Sequence, residues 1–324
     1  MRIATPIPPT LPDNPHSLNA RQAMRNLALC VVACGPLAVA SCTGQGGPSP
    51  SATVVPSSPP EGAFDGQRAY EWAVAQVELG PRVPGSEAHA QGVALILRAL
   101  DEAGWQTETQ TFAYGPFTGI NLIGRAGPTD SSLVLLGAHY DSRPRADRDA
   151  QNPDQPVPGA NDGASGVAVL LELARVLSPQ TLASRVWLVF FDAEDGGGLN
   201  GQPWIAGSTA FAATLTEGPE AIVIVDMVGD RDLQLYYEAN STPELASAIW
   251  QTASELGHAA FLPEPGYSIL DDHIPFLERG IPAVDIIDFD YPYFHTTADT
   301  IDKISPQSLA QVGGTLQRWL ASRP

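Results

Sequence analysis

The chain has 324 residues and a formal net charge of −19, from 36 acidic and 17 basic side chains. This length allows one large domain or two small ones with ample material for a core. Phosphate binding needs clustered lysine and arginine, so the charge argues against nucleic acid as a partner. The three cysteines, Cys30, Cys34 and Cys42, lie near the amino terminus. The rest of the chain therefore has no disulfide or thiol chemistry.

The amino-terminal region has the composition of an export signal. Met24 and Arg25 precede an apolar run over residues 27–40 that is too short to span a bilayer, and Met24 is an alternative start of the chain. The small residues before Cys42 resemble the lipobox of bacterial lipoproteins. By that resemblance, Cys42 would become the acylated first residue of the mature protein.

These patterns predict three regions along the chain. Residues 1–42 would be the signal peptide, residues 43–61 a Gly, Ser and Pro-rich tether, and residues 62–324 a single folded domain. We expect a monomer, exported and held by its lipid at the outer face of a bacterial cell membrane or in a periplasm.

Patterns typical of helices and strands alternate from residue 67 onward. Helices are predicted over residues 67–79, 87–103, about 159–177, 208–215, 243–256 and 274–279, with a last helix capped by Ser305. Strands are predicted over residues 105–112, 121–125, 133–137, 186–191, 221–225 and 281–287. The order predicts an α/β fold, a three-layer sandwich around a mainly parallel sheet.

The strand over residues 186–191 leads into an acidic loop. The strand is wholly apolar, as expected for a strand buried on both faces, and Asp192, Glu194 and Asp195 follow it. Ligand crevices of open α/β sheets lie past the carboxyl ends of the strands, and three carboxylates there would repel one another unless they shared a cation or a proton. A solvated acidic loop is the ordinary alternative.

Other predicted strands also end in polar residues. The full set at or just after the strand ends is His139, Asp162, Glu194, Asp195, Asp226 and His295. Each has an ordinary explanation, such as a buried core histidine, a helix cap, a turn former or a surface residue. Together they have the composition of a carboxylate-rich zinc site with one carboxylate left as a base.

These residues resemble a known family. The stretches His139-Tyr140-Asp141-Ser142, Asn161-Asp162-Gly163-Ala164-Ser165-Gly166 and Phe191-Asp192-Ala193-Glu194-Asp195, followed by Asp226 and His295-Thr296, look like the zinc aminopeptidases of the aminopeptidase S and leucyl aminopeptidase type. That superfamily includes the animal-type glutaminyl-peptide cyclotransferases. The stretches at residues 79–86 and 271–282 favour the cyclotransferase branch.

The resemblance implies a role for each matching residue. Asp162, Asp195 and His295 would bind one zinc, and Glu194 would be the general base and acid. Asp226 and Asp271 would complete a carboxylate network that orients the amine of a peptide substrate. In the aminopeptidase branch Asp162 bridges two zinc ions, and His139 and Asp226 hold the second.

Three departures from the family pattern bear on substrate preference. The family usually has Glu where Asp195 stands, so this ligand is one methylene shorter. Phe294 stands where animal cyclotransferases often have Trp, and it would line the substrate pocket with a smaller wall. A second pocket tryptophan has no clear match, with Trp204 the nearest along the chain.

Three hypotheses for the function remain open at this point. The first is a lipid-anchored, zinc-dependent glutaminyl cyclase acting on peptide amino termini, and the second is a two-zinc aminopeptidase. The third is a non-catalytic lipoprotein that binds peptides. Asp271 has its own alternative, because Asp271 and Asp272 could simply cap the predicted helix that follows them.

Overall fold

The computed structural model describes residues 62–180 and 182–323. The predictions of a signal peptide, a tether and a lipidated Cys42 lie outside these residues. In the described part, no helix combines the length and apolar character that crossing a membrane requires.

Seven α-helices and eight strands are found in the described residues. The helices are α1 (Gly66–Val77), α2 (Glu87–Glu102), α3 (Ala164–Val176), α4 (Ala206–Thr214), α5 (Pro243–Leu256), α6 (Ile274–Leu277) and α7 (Pro306–Ala321). The strands are β1 (Gln106–Tyr114), β2 (Phe117–Ala126), β3 (Leu133–His139), β4 (Arg185–Phe191), β5 (Ala221–Asp226), β6 (Leu235–Tyr237), β7 (Phe261–Pro265) and β8 (Ala283–Ile287). A short 3-10 turn, Ile301–Lys303, precedes α7.

Helix starts follow the capping residues that the sequence indicates. The Ser86 hydroxyl accepts a hydrogen bond from the His89 N–H at the start of α2. The Ser305 hydroxyl accepts one from the Ser308 N–H at the start of α7. Such bonds satisfy backbone donors that have no partner inside the helix, so the two predicted starts are confirmed.

The main sheet has six strands in the order β1-β2-β4-β3-β5-β8. Strands β4, β3, β5 and β8 run parallel to one another, while β2 is antiparallel to β4 and β1 is antiparallel to β2. Strand β1 is an edge strand with mostly exposed residues. The predicted mainly parallel sheet is confirmed, with an antiparallel hairpin added at one edge.

The residues of β4 alternate between two apolar cores. Val186, Leu188 and Phe190 pack in the core that contains α2, α3, α5 and α7. Trp187, Val189 and Phe191 pack in the core that contains α4 and α6 on the opposite face. Each face of the sheet is thus covered by helices, and the three-layer sandwich is confirmed.

A second, two-stranded sheet was not predicted. It pairs the three residues of β6 with β7, and the pairing has a register irregularity. Strand β7 contains Pro263 and Pro265, which cannot donate ladder hydrogen bonds. Both segments therefore lack the sequence pattern of a strand.

Candidate active site

The parallel strands bring the predicted polar residues to one edge of the sheet. His139 ends β3, Asp226 ends β5, Glu194 and Asp195 follow β4, Asp162 precedes α3, and His295 follows β8. All six are buried, with side chains that meet at the carboxyl ends of the strands. The structure therefore brings together every residue of the set that the sequence singled out.

Asp162, Asp195 and His295 form a first group of metal-binding geometry. Each offers one ligand atom within 4.8 Å of the other two. The His295 Nε2 lies 2.9 Å from the Asp195 Oδ1 and 3.7 Å from the Asp162 Oδ2. The side chain of Asp195 thus reaches the site although it is one methylene shorter than the usual Glu.

His139, Asp162 and Asp226 form a second group with the same property. The His139 Nε2 lies 3.2 Å from the Asp162 Oδ1 and 3.1 Å from the Asp226 Oδ1. Asp162 contributes its two oxygens to different groups. A carboxylate shared in this way has the geometry of a bridging ligand between two ions.

The donor atoms fit zinc. Carboxylate oxygens and imidazole nitrogens are zinc ligands, and a site with three protein ligands leaves a fourth position open. The Asp162 Oδ2 and the Asp195 Oδ2 are buried without a hydrogen-bond partner. Buried polar atoms are normally satisfied, so these oxygens indicate a cation between them.

The side chains of the site have strongly perturbed pKa values. Burial and the neighbouring Asp162 raise the pKa of Asp195 to about 6. Burial would also lower the pKa of His139, but Asp226 and the bonds to Asp141 and Asp162 hold it well above its usual value. Without a metal, protons must balance the excess of buried carboxylates.

Glu194 has the properties of a general base with a raised pKa. Burial raises its pKa well above the ordinary value, and Asp195 and Asp271 add to the rise against the opposing effect of His139. Asp192 is bound by other groups. Its carboxylate lies 2.8 Å from the His89 Nε2 and accepts a hydrogen bond from the Ile120 N–H, away from Glu194.

Asp271 lines the same cleft as Glu194 and Asp226. Its burial and the charge of Asp226 raise its pKa to about 7. The capping alternative has no support in the geometry, since the N-cap of α6 is His273 and no side chain caps that helix. The carboxylate of Asp271 instead accepts a hydrogen bond from the Asp272 N–H.

Behind Asp271 lies a buried cluster that the sequence did not reveal. Asp271, His273 and Asp285 offer ligand atoms within 4.8 Å of one another. The His273 Nε2 lies 3.1 Å from the Glu238 Oε2, and its Nδ1 lies 3.8 Å from the Asp285 Oδ2. His273 thus links the buried carboxylates of Glu238 and Asp285 to Asp271, which lines the cleft.

Two carboxylates outside the metal-binding groups hold the loops that carry the candidate ligands. They do so by accepting hydrogen bonds from backbone N–H groups of those loops. Asp141 accepts hydrogen bonds from the N–H groups of Glu194 and Asp195 at 3.1 and 3.2 Å. Asp299 accepts bonds from the N–H groups of Asn161 and Asp162 at 2.9 and 3.2 Å. Asp141 and Asp299 thereby orient the residues that would bind a metal, as is common around metal centres.

Several site positions have a left-handed backbone. Ala193, Met227 and His295 have φ values of 57°, 46° and 57°, which side chains other than glycine adopt only at a cost. Gly163, with φ of 93°, precedes α3, and a Cβ there would lie 2.9 Å from the His139 Cε1. Backbone strain and close contacts between segments are therefore found where the candidate ligands meet.

Trp204 and Arg143 hold His295 from one side. The Trp204 ring stacks on the His295 ring with an angle of 8° between the planes. The buried guanidinium of Arg143 lies 4.8 Å from the Trp204 ring centroid and donates to the Asp195 backbone O at 2.8 Å. Trp204 therefore lies in the site and lines its cleft.

The cleft above these groups has a volume of about 340 Å³ and is lined by Phe294, Trp204 and the acidic residues. Ligand pockets range from about 300 to about 1,000 Å³. The volume of this cleft lies at the lower end of that range.

Sequence reasoning missed the supporting residues Arg143, Asp147, Asp299, Glu238 and Asp285. Arg143 and Asp147 follow the His139 motif within a polar loop that carried no pattern of its own. Asp285 did carry a signal, because it is a charge inside an otherwise apolar strand. Buried charges of that kind are almost always paired.

Comparison with known proteins gives consistent matches. The profile of Peptidase family M28 matches residues 121–320. A Tannerella forsythia glutaminyl cyclase structure is 33% identical with a TM-score of 0.76, covering 81% of this chain and 100% of that one. A leucine aminopeptidase precursor from Bacteroides thetaiotaomicron is 30% identical with a TM-score of 0.77, covering 81% and 98%.

Among curated proteins, the glutaminyl-peptide cyclotransferase of Bos taurus is 28% identical over 74% of this chain and 77% of its own length. The family profile spans more than half of the chain and contains the metal-binding groups, Glu194 and the cleft. The fold is that of the zinc exopeptidase-like structures. The chain belongs to Peptidase family M28.

Proposed function

We propose that the protein is a zinc-dependent glutaminyl-peptide cyclotransferase, which converts the amino-terminal glutamine of peptides to pyroglutamate and releases ammonia. Cyclotransferases and glutaminyl cyclases among its relatives and structural neighbours support this assignment. The observation that carries it is the position of Asp271 in one cleft with Glu194, Asp226 and the first metal-binding group.

Three buried carboxylates explain how the substrate amine would be recognised. Glu194, Asp226 and Asp271 are buried carboxylates that face one cleft. Because burial and mutual repulsion raise their pKa values, the group holds at least one proton near neutral pH. Such a group can accept hydrogen bonds from an α-amine and also keep a proton to return.

The reaction then needs one proton to move twice. Glu194 takes a proton from the substrate α-amine as the amine attacks the γ-carbonyl carbon, and it returns the proton to the departing ammonia. Zinc held by Asp162, Asp195 and His295 would supply Lewis-acid polarisation of that carbonyl. Since the nucleophile belongs to the substrate, most of the protein's contribution is positioning.

A di-zinc aminopeptidase is the second candidate, and one observation favours it. Asp162 contributes an oxygen to each of two metal-binding groups, as a bridging ligand would. Known relatives include an aminopeptidase of Bacillus subtilis, which is 29% identical over 72% of this chain but only 52% of its own length. In this case Glu194 would activate water against a peptide bond.

A direct assay separates the two functions. The purified protein is incubated with an amino-terminal glutaminyl peptide and with a leucyl peptide, and products are identified by mass. Pyroglutamate and ammonia from the first peptide, with no release of leucine from the second, is the expected result. Release of free amino acids with no pyroglutamate would contradict the proposal.

Glu194→Gln should lower kcat by about two to four orders of magnitude, because it removes the proton carrier and keeps the shape. The matched control is Glu102→Gln, at an exposed residue in the last turn of α2. Zinc content and the melting temperature should stay unchanged in both variants. A near-normal rate in Glu194→Gln would show that another group is the base.

The number of zinc ions is tested with His139→Ala. If one ion is bound by Asp162, Asp195 and His295, the variant keeps its zinc and much of its activity. If the second group also holds an ion, the variant loses half of its metal. Metal analysis per chain gives the answer.

We also infer that the catalytic domain is exported and lipid-anchored through Cys42, at the outer face of a bacterial membrane or in a periplasm. The short apolar run and the residues before Cys42 support this inference. Mass spectrometry of the mature amino terminus, with Cys42→Ser as the comparison, tests it. An unmodified Cys42 in the mature protein would contradict it.

A further inference from the structure

The cleft has opposite charges at its floor and at its mouth. The floor carries the carboxylates of Glu194, Asp226 and Asp271. Arg148 lines the same cleft and is exposed to solvent. Its backbone N–H donates to the His295 backbone O at 3.2 Å, so the loop that carries it is tied to the metal-binding region.

Phe294 holds the side chain of Arg148 at the mouth. The guanidinium carbon lies 4.5 Å from the centroid of the Phe294 ring. The Phe294 ring itself lies against the ring of His295, with 3.6 Å between centroids. His295, Phe294 and Arg148 thus form a path from the metal-binding group to the opening, and the aromatic face limits the freedom of the cation.

The charge of Arg148 is not neutralised by the protein. Arg143 binds Asp147 through two hydrogen bonds of 2.6 and 2.7 Å. Arg145 pairs with Asp154 at 2.5 Å. Arg148 has no such carboxylate partner in residues 62–180 and 182–323, although it lies in the same loop.

This placement matches the course of a bound peptide. In the proposed function the substrate amine lies at the acidic floor, and the chain after the first residue must leave through the mouth. The next side chain or the next backbone groups then pass Arg148. The chain has a net charge of −19, so an unpaired cation at this point is a local exception.

We propose that Arg148, on the Phe294 ring, is a carboxylate-binding subsite that favours substrates with an acidic group directly after the amino-terminal glutamine. The inference rests on the proposed cyclotransferase function. The carboxylate can come from a Glu or Asp side chain or from the carboxyl terminus of a dipeptide. Guanidinium groups bind carboxylates through two parallel hydrogen bonds, which Arg148 has free to offer.

The test compares kcat/KM for three peptides, Gln-Glu-Ala-amide, Gln-Gln-Ala-amide and Gln-Lys-Ala-amide. An exposed ion pair is worth up to about 1 kcal/mol, which is about fivefold. We expect up to about fivefold preference for the glutamate peptide over the glutamine peptide, and a larger one over the lysine peptide. Raising the salt from about 0.05 M to about 0.5 M should weaken both preferences.

Variants assign the preference to the residue. Arg148→Gln should bring kcat/KM for the glutamate peptide down to that for the glutamine peptide, and Arg148→Lys should restore part of the difference. Arg145→Gln is the matched control, since Arg145 lies in the same loop but is paired with Asp154. It should keep the wild-type preference.

A further arm identifies the source of the carboxylate. Gln-Ala with a free carboxyl terminus is compared with Gln-Ala-amide, and an advantage of the free acid that Arg148→Gln abolishes would assign the terminal carboxylate. Turnover of the glutamine peptide without any preference would overturn the subsite alone, as would a preference that survives in Arg148→Gln. If the wild type forms pyroglutamate from no glutaminyl peptide, the proposed function fails and the subsite falls with it.

Discussion

Replacing Asp272 by Asn should make the stability of the protein less dependent on pH. Asp272 is fully buried beside Asp271, and burial followed by the charge of Asp271 raises its pKa to about 8. An unfolded aspartate titrates near about 3.9. Between these two values the folded protein holds a proton that the unfolded chain has lost.

The sign and size of the effect follow from this difference. A proton held only by the folded state makes its stability fall as pH rises, by about 1.4 kcal/mol per pH unit. From about pH 5 to about pH 8 this amounts to about 4 kcal/mol from Asp272. Asn has the shape of the neutral acid and does not titrate, so Asp272→Asn removes the contribution. The variant should match the wild type below about pH 4 and exceed it by a growing margin as the pH rises toward about 8.

Urea unfolding followed by tryptophan fluorescence measures the free energy of unfolding at each pH, with zinc saturating in all samples. The matched control is Asp101→Asn, at an exposed position on α2. Its curve should run parallel to that of the wild type. If the curve of Asp272→Asn is also parallel to the wild type, Asp272 is not a buried neutral acid and the reasoning is refuted.

Two further predictions concern the site itself. Asp195→Ala and His295→Ala should each lose zinc, because a site with three protein ligands cannot spare one, and metal analysis after gel filtration checks this. Retention of a full complement of zinc in either variant would remove that residue from the ligand set. Asp271→Asn should keep the melting temperature, lower the rate of pyroglutamate formation and alter its pH profile. A wild-type rate with an unchanged profile would exclude Asp271 from the proton-sharing group.

Local patterns determined most of the fold and the main members of the site. The wholly apolar run of β4 and the cap residues Ser86 and Ser305 are local signals, and the predicted strand and the two predicted helix starts are confirmed to within one residue. The metal-binding groups were also predictable, because parallel strands place the residues at their carboxyl ends on one edge of a sheet. His139 and Asp226 meet there for that reason.

Only the tertiary structure decided which carboxylates face one another. Asp192 and Glu194 are two residues apart, yet one is bound by His89 and the other faces the cleft, because the left-handed backbone at Ala193 separates their directions. Asp285 and Glu238 join His273 from segments that have no common pattern in the sequence.

The tertiary structure also decided which charges at the mouth of the cleft are paired. Arg143, Arg145 and Arg148 belong to one polar loop, and the sequence does not distinguish them. In the folded protein the first two are paired with Asp147 and Asp154, while the third lies on Phe294 with its charge free. Composition determines how many charges a loop carries, but which of them are neutralised depends on how the loop folds and on the surface, here Phe294, against which it packs.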